Sequence, residues 1–230
     1  QFANAMRRGV RMAYIVENNG VYGLTKGQFS ATADRGSKSK KGVINSDSPV
    51  DLVGIALQLG ATYVARSFSG DKEQLVPLIK GAMEHGGAAF IDIISPCVTF
   101  NNHAGSTKSY DYVREHNEAV SRIDFISSRN EITAMYAPGE LVEVQQHDGS
   151  MLRLRKLHPE YDPTDRYGAM SYMQAHQARG EIVTGLLYVD PVATDLHTSL
   201  NTSDHALNAM GVAQLCPGSK ALDKINQALR

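Results

Sequence analysis

Cysteine is scarce: 230 residues hold two, Cys97 and Cys216, too few for a disulfide framework. With so little cysteine the chain reads as intracellular, and we expect a cytoplasmic protein. An excess of one charge is also missing. The 23 basic residues stand against 24 acidic ones, a formal net of -1, which argues against a general polyanion binder and against nucleic acid as a partner. No apolar run approaches the ~20 residues of a membrane-spanning helix, so no membrane partner is expected. The opening Gln1-Phe2-Ala3-Asn4 has no basic stretch leading into an apolar one, so it does not read as a signal peptide. What is present is 42% hydrophobic residues over a length that can bury a sizeable core unaided.

The start of the chain reads as the end of something. Phe2, Ala5 and Met6 share a helical face, Arg7 and Arg8 suit a last turn, and Gly9 suits the position after it. No cap or first turn precedes them, so we expect an upstream segment absent from this sequence. A short apolar strand, Met12 to Val16, follows. Residues 30–48 are polar, include Lys38-Ser39-Lys40-Lys41, and read as a long surface loop of the kind that is often functional. Asp51 to Leu59 has helical spacing and stops at Gly60. Thr62 to Arg66 is a second strand. A helix starting near Ser69 and Asp71 follows, with Leu75, Leu78, Ile79 and Met83 on its buried face. Ala88 to Ile94 is a third, strongly apolar strand. Strand alternating with helix implies a doubly wound, mostly parallel α/β sheet covered on both faces.

Beyond it the pattern changes. Tyr110 to Val120 reads as a polar helix, and Leu141 to Val144 and Leu152 to Arg155 as a hairpin turning at His147-Asp148-Gly149-Ser150. Tyr167 to Arg179 reads as a helix, Leu186 to Val189 as a short strand, and the tail as irregular, with a last helix after Pro217-Gly218. We therefore expect residues 1–125 to form a domain and 126–230 a C-terminal extension of hairpin, helix and irregular tail.

Open α/β sheets bind ligands at the carboxyl ends of their strands. Two segments occupy such positions: Asn18-Asn19-Gly20-Val21-Tyr22-Gly23-Leu24-Thr25-Lys26-Gly27-Gln28 and Ser95-Pro96-Cys97-Val98-Thr99-Phe100-Asn101-Asn102. Alone, Asn19-Gly20 makes a tight turn. In this position a carboxamide oxygen and a nearby main-chain carbonyl are also hard ligands of the kind Mg²⁺ takes beside a diphosphate.

Asn18-Asn19-x-Val21-Tyr22-Gly23 resembles the second half of the thiamine diphosphate fingerprint, whose Gly-Asp-Gly half would lie upstream of Gln1. The run on to Gln28, together with Ser95 to Asn101, resembles the β subunit of 2-oxoacid:ferredoxin oxidoreductases. Phe29 to Asp34, Gly70-Asp71-Lys72 and Leu215 to Ser219 look closest to the 2-oxoglutarate type. The resemblance implies the thiamine diphosphate-binding fold and an enzyme that oxidatively decarboxylates a 2-oxoacid, chiefly 2-oxoglutarate. Coenzyme A would take the acyl group, and electrons would pass through a 4Fe–4S cluster to ferredoxin. It implies a larger α subunit as partner. Among site residues it implies Asn19 and the main chain of Val21 as Mg²⁺ ligands, Tyr22, Gly23 and Thr25 around the cofactor, and Lys26 and Leu24 toward the substrate. Cys97 would be one ligand of the cluster; a 4Fe–4S cluster needs four thiolates, and the other three would come from upstream. Cys216 reads as structural, and the eight histidines form no metal-type pair. Two other readings stay open: a cofactor-less α/β scaffold subunit, and a thiamine diphosphate enzyme of non-oxidative decarboxylation or synthesis.

Overall fold

The computed structural model describes residues 1–120, 141–145, 151–155, 161–216 and 218–229, the segments 141–145 and 151–155 by their backbone alone. Its centre is a five-stranded sheet built from β1 (Met12–Asn18), β4 (Tyr63–Phe68), β5 (Ala88–Ile94), β6 (Asn117–Ala119) and β9 (Ile182–Val189), in the order β1-β5-β4-β9-β6. β1, β5 and β4 are parallel neighbours, β9 runs antiparallel to β4, and β6 lies parallel to β9. The first crossover, through α2 (Leu52–Gln58), skips a place. The second, through α3 (Lys72–Glu84), returns to fill it, so the two helices cover opposite faces. The mostly parallel α/β sheet expected from the sequence is thus present.

Local chemistry explains the boundaries. Asp71 caps α3 by accepting from the Gln74 N–H, so the helix begins at Lys72, later than Ser69. α2 ends where Gly60 takes a left-handed turn at φ 88°. Met83, expected on the buried face of α3, is exposed; Gln74, Leu78 and Ala82 take that face instead. The polar helix expected over 110–120 is shorter: α4 (Tyr110–His116) gives way to β6, whose three residues pair with Ile182–Thr184.

β5 is buried along its whole length, and its alternation divides the core. Ala88 and Phe90 pack with Val53, Leu57 and Val64, with Met6 of α1 (Phe2–Arg7) and with Met173 of α5 (Arg166–Gln177). Ala89, Ile91 and Ile93 pack with Tyr63, Leu78 and Ala82 beneath α3. A parallel strand covered on both sides needs apolar residues in both phases, so a charged residue in β5 stands out. Asp92 is that residue, and it is 2% exposed.

The chain separates into two compact units, Gln1–Leu196 and His197–Arg230. The break comes after Leu196, the first residue of α6 (Leu196–Ser199), since β9, well beyond residue 125, sits inside the sheet. Within the first unit, β7 (Leu141–Gln145) and β8 (Met151–Arg155) form the expected antiparallel hairpin, Val142 opposite Leu154; its turn, His147 to Ser150, lies outside the described residues. The second unit holds α7 (Val212–Leu215) and α8 (Ser219–Ala228), neither with a buried residue among those described.

Candidate functional site

The parallel register puts the ends of three strands level: Asn18 of β1 and Phe68 of β4 both lie opposite Ile94 of β5. Residues 19–28 and 95–109 therefore leave the same edge of the sheet. The first segment folds into a two-stranded ribbon, β2 (Val21–Tyr22) against β3 (Gln28–Phe29). At its base the Asn19 side-chain oxygen accepts the Val21 N–H at 3.0 Å. Gly20 sits at φ 71°, backed by Asn101 and Lys108, whose nearest atoms would lie 3.1 and 3.2 Å from an added Cβ. At the tip, the Lys26 N–H bonds the Gly23 carbonyl and the Gly27 N–H bonds the Tyr22 carbonyl. Lys26 itself is held at φ 62°, a left-handed conformation that costs a residue with a Cβ about 1–2 kcal/mol.

The sequence-derived candidates divide at this ribbon. Asn19 and Val21 are at its pinned base, and Val21 is buried. Tyr22, Gly23, Leu24, Thr25 and Lys26 form its exposed tip, with Leu24 98% exposed. Cys97, half-buried and unpaired, begins the turn after β5. Its carbonyl accepts the Asn101 N–H at 2.8 Å, and the Asn101 side chain donates to the Asn19 carbonyl, also at 2.8 Å. Ser106 holds that side chain by donating to its oxygen at 2.8 Å. Asn101 thus joins the Cys97 turn to the Asn19 turn, and Gly27 packs against the Phe100 ring.

Sequence reasoning missed what lies behind the turn. Asn18, Asp92 and Arg66 come from adjacent strands and share the α2 side of the sheet. Asn18 Nδ2 donates to Asp92 Oδ1 at 3.1 Å, and Arg66 Nε donates to Asp92 Oδ2 at 2.9 Å. Arg66 Nη2 reaches Asp51 Oδ1 at 3.2 Å, and Thr32 Oγ1 donates to Asn18 Oδ1 at 2.7 Å. Burial opposes the charge of Arg66, but Asp92 and Asp51 more than offset it, and the guanidinium is held above its ordinary pKa. These residues line a cavity of about 290 Å³ together with Asp34 and Lys108. The signal for them was available: an aspartate inside the apolar run of β5 and an arginine inside the apolar β4.

The long polar loop is also part of this edge. Asp34 Oδ2 accepts from both Thr107 Oγ1 (2.7 Å) and Lys108 Nζ (2.9 Å), and the Lys38 N–H bonds the Gly105 carbonyl. Residues 30–48 are thereby clasped to the loop that follows β5, and Lys108, 7% exposed, is pressed beneath Gly20.

The donors suit some groups and not others. Asn19 Oδ1 and the Val21 carbonyl are hard oxygens on one pinned turn, and the accepted N–H leaves the carboxamide oxygen a second lone pair, which fits Mg²⁺. A 4Fe–4S cluster needs four thiolates, whereas this edge offers Cys97 alone, so these residues do not by themselves fit one. Among the described residues no three His, Cys, Asp or Glu side chains gather as a metal site. No helix among them is long and apolar enough to cross a membrane.

Residues 1–93 match the thiamine pyrophosphate enzyme family, C-terminal TPP binding domain. Over 104 residues the chain is 46% identical to a 2-oxoacid:ferredoxin oxidoreductase subunit beta of Saccharolobus solfataricus, covering 44% of this chain and 33% of that one. Over 150 residues it is 30% identical to a 2-oxoglutarate synthase subunit KorB of Methanocaldococcus jannaschii, covering 63% and 55%. Its fold is similar to a solved 2-oxoglutarate:ferredoxin oxidoreductase from Magnetococcus marinus with 2-oxoglutarate, coenzyme A and succinyl-CoA bound. The TM-score there is 0.60 at 26% identity, over 90% of this chain and 59% of that one. The chain spans about a third of the Saccharolobus relative's length and just over half of the Methanocaldococcus one's. The resemblance read from the two strand-end motifs is thus found again in both sequence and fold.

Proposed function

We propose that this chain, a relative of 2-oxoacid:ferredoxin oxidoreductase β subunits with a thiamine pyrophosphate-binding domain over residues 1–93, works as the β subunit of a cytoplasmic enzyme of that kind. Its reaction is the oxidative decarboxylation of a 2-oxoacid, 2-oxoglutarate foremost, with coenzyme A as acyl acceptor and ferredoxin as electron acceptor. The observation that carries the reading is the Asn19–Val21 turn, pinned through Asn101 to the Cys97 turn at the carboxyl edge of the sheet.

Thiamine diphosphate, when bound, supplies the carbanion chemistry of decarboxylation. The residues of this chain hold and orient. Asn19 Oδ1 and the Val21 carbonyl would take Mg²⁺, and Tyr22, Gly23 and Thr25 would border the cofactor. Lys26, kept in a costly left-handed conformation at an exposed tip, presents an ammonium suited to a substrate carboxylate. Leu24 beside it sets the length of acid accepted. The larger α subunit would close over this tip. Cys97 would ligate the 4Fe–4S cluster with three thiolates from outside these 230 residues.

The test uses the complex purified with its α subunit. Asn19→Ala should lose thiamine diphosphate on gel filtration, and full retention would refute the assignment. Lys26→Ala should raise KM for 2-oxoglutarate while cofactor and iron content stay unchanged. Leu24→Asn should shift the ratio of 2-oxoglutarate to pyruvate turnover. Cys97→Ser should lower iron content where Cys216→Ser does not.

A further inference from the structure

A carboxylate inside a central apolar strand is costly to bury, and an apolar residue of similar size is often no less stable there. Asp92 occupies such a place. Ala88 and Phe90, four and two residues before it on the same face, are fully buried core. Both of its oxygens are used, Oδ2 by Arg66 and Oδ1 by Asn18. The Arg66 bond is an ion pair within the sheet, but the Asn18 bond leads out of it. Asn18 is the last residue of β1, and the next residue is Asn19.

The carboxamide of Asn18 is the one group that satisfies both of its partners. Its Nδ2 donates to a carboxylate while its Oδ1 accepts the Thr32 hydroxyl at 2.7 Å. A leucine would leave Asp92 Oδ1 buried without a donor, and an aspartate would set two carboxylates against each other. Asn18 is only 7% exposed, and its carbonyl accepts the Ser95 N–H at 3.0 Å. The residue before the Asn19 turn is therefore fixed by main chain and side chain together, while Asn101 fixes the turn from the other side.

We propose that Asp92 is a positioning residue for the cofactor turn, acting through Asn18 to hold Asn19 Oδ1 and the Val21 carbonyl in the geometry that Mg²⁺ requires. Arg66 orients Asp92 through its Oδ2, and Thr32 locks the Asn18 carboxamide against flipping. The inference rests on the reading of Asn19 and Val21 as Mg²⁺ ligands. Mg²⁺ demands near-ideal octahedral geometry, so its binding is sensitive to small errors in where two oxygens sit. Partners that orient a metal ligand commonly change metal affinity by about 10–100-fold when removed.

The experiment measures, in the full-length complex with its α subunit, the Mg²⁺ concentration that half-saturates retention of thiamine diphosphate. Retained cofactor is read by thiochrome fluorescence and normalised to folded protein, and the thermal midpoint without cofactor is recorded in parallel. Asp92→Asn and Asn18→Asp, each alone, should raise the required Mg²⁺ about tenfold or more. Thr32→Val, a loop substitution outside the strands, should raise it less, about fivefold, the worth of one neutral hydrogen bond. The double exchange Asn18→Asp with Asp92→Asn restores every donor to an acceptor. The carboxamide, moved to β5, would then donate to the carboxylate now at the end of β1 and accept from Arg66, so the Mg²⁺ requirement should return toward the wild-type value. Wild-type Mg²⁺ dependence in the single variants, with only the thermal midpoint lowered, would overturn the proposal, as would a double exchange no better than the worse single. If either strand variant fails to fold, Thr32→Val decides alone, and an unchanged Mg²⁺ requirement there refutes the lock. Wild-type complex that binds no thiamine diphosphate with Mg²⁺ would overturn the cofactor reading itself, a result distinct from variants that match a binding wild type.

Discussion

The two faces of the sheet each carry a buried polar network at the same height, and the networks are built differently. Arg66 and Ser67 are consecutive in β4 and point to opposite sides. On the α2 side, Arg66 joins Asp92, Asp51 and Asn18 in a charged cluster that opens into the 290 Å³ cavity and ends at the Asn19 turn. On the α3 side, Ser67 Oγ donates to Gln74 Oε1, Gln74 Nε2 donates to Thr184 Oγ1, and Thr184 donates to Asn117. Ser67, Gln74 and Thr184 are buried and neutral. Neutral groups that satisfy one another stitch α3, β4, β9 and β6 together. Charged groups cost more to bury, and here they adjoin the turn that carries the candidate metal ligands. The difference separates a polar network that serves the fold from one that serves a site.

The largest expected effect is on the charged side. Arg66→Met leaves Asp92 buried without its counter-charge and should destabilise the chain by about 3–5 kcal/mol. Urea denaturation measures it. The double variant Arg66→Met with Asp92→Leu should recover most of that loss, since replacing a whole buried pair is often close to neutral. If the single variant costs no more than an ordinary surface substitution, the contrast between the faces is mistaken. The neutral side should respond less. Gln74→Leu strands Ser67 Oγ and leaves Thr184 Oγ1 its bond to Asn117 alone, and it should cost about 1–3 kcal/mol, with the Mg²⁺ requirement for thiamine diphosphate unchanged. A change in that requirement would mean that the two faces are coupled.

At the turn itself, Gly20→Ala forces a Cβ into a left-handed residue, 3.1 Å from the Asn101 side chain and 3.2 Å from Lys108. It should cost about 1–2 kcal/mol and weaken cofactor binding as well, because Asn101 is the bond from the Asn19 carbonyl to the Cys97 turn. Gly86→Ala, away from the turn and meeting nothing closer than 3.7 Å, is the control. Thermal midpoint and bound thiamine diphosphate, measured on the same samples, separate the two.

What was legible in the sequence follows the same division. Strand and helix order could be read through residue 94, because apolar period and glycine stops are local signals. The two strand-end loops could be read because their residues are consecutive. In the Asp92–Arg66–Asn18 cluster the charges inside β5 and β4 were visible one by one, but not their meeting, because its members are 26 and 74 residues apart and come together only through the β1-β5-β4 register. The place of β9 was equally hidden. Leu186 to Val189 was visible as a strand, but its antiparallel seat beside β4 depends on a long-range pairing, Tyr63 opposite Val189. The helix read through Val120 ended early for the same reason, since Asn117 to Ala119 pair with β9. The clasp of residues 30–48 onto the loop after β5 runs through Asp34, Ser37 and the Lys38 N–H, in a stretch that composition alone marks as solvated.

The smallest expected effect is a pH dependence on the α3 side. His85 follows the last turn of α3, with Nε2 2.8 Å from Thr62 Oγ1 and its ring 5.6 Å from that of Tyr63. Burial lowers its pKa, and Asp190 opposes that shift without reversing it. The sign follows from linkage. Below the ordinary histidine value of about 6.5 the unfolded chain binds a proton that the folded chain resists. Stability is then lost as pH falls through that value toward the lower folded pKa, and is fully present above it. The carboxylates with lowered pKa act in a more acidic window. Asp162 is held down by hydrogen bonds from Thr164, and Glu181 by Arg179 and His176, so each gives up its stabilisation only below the ordinary carboxylate range. The two windows can be told apart in one titration. Denaturant unfolding from about pH 7.5 to about pH 4 should show stability falling from near pH 6.5. His85→Gln, which can still bond Thr62, should flatten the upper part of the curve and leave the decline below about pH 4.5 in place. If the wild-type and variant curves are parallel between about pH 7.5 and 5, His85 does not titrate with folding, and the α3 side is as silent toward protons as its neutral network implies.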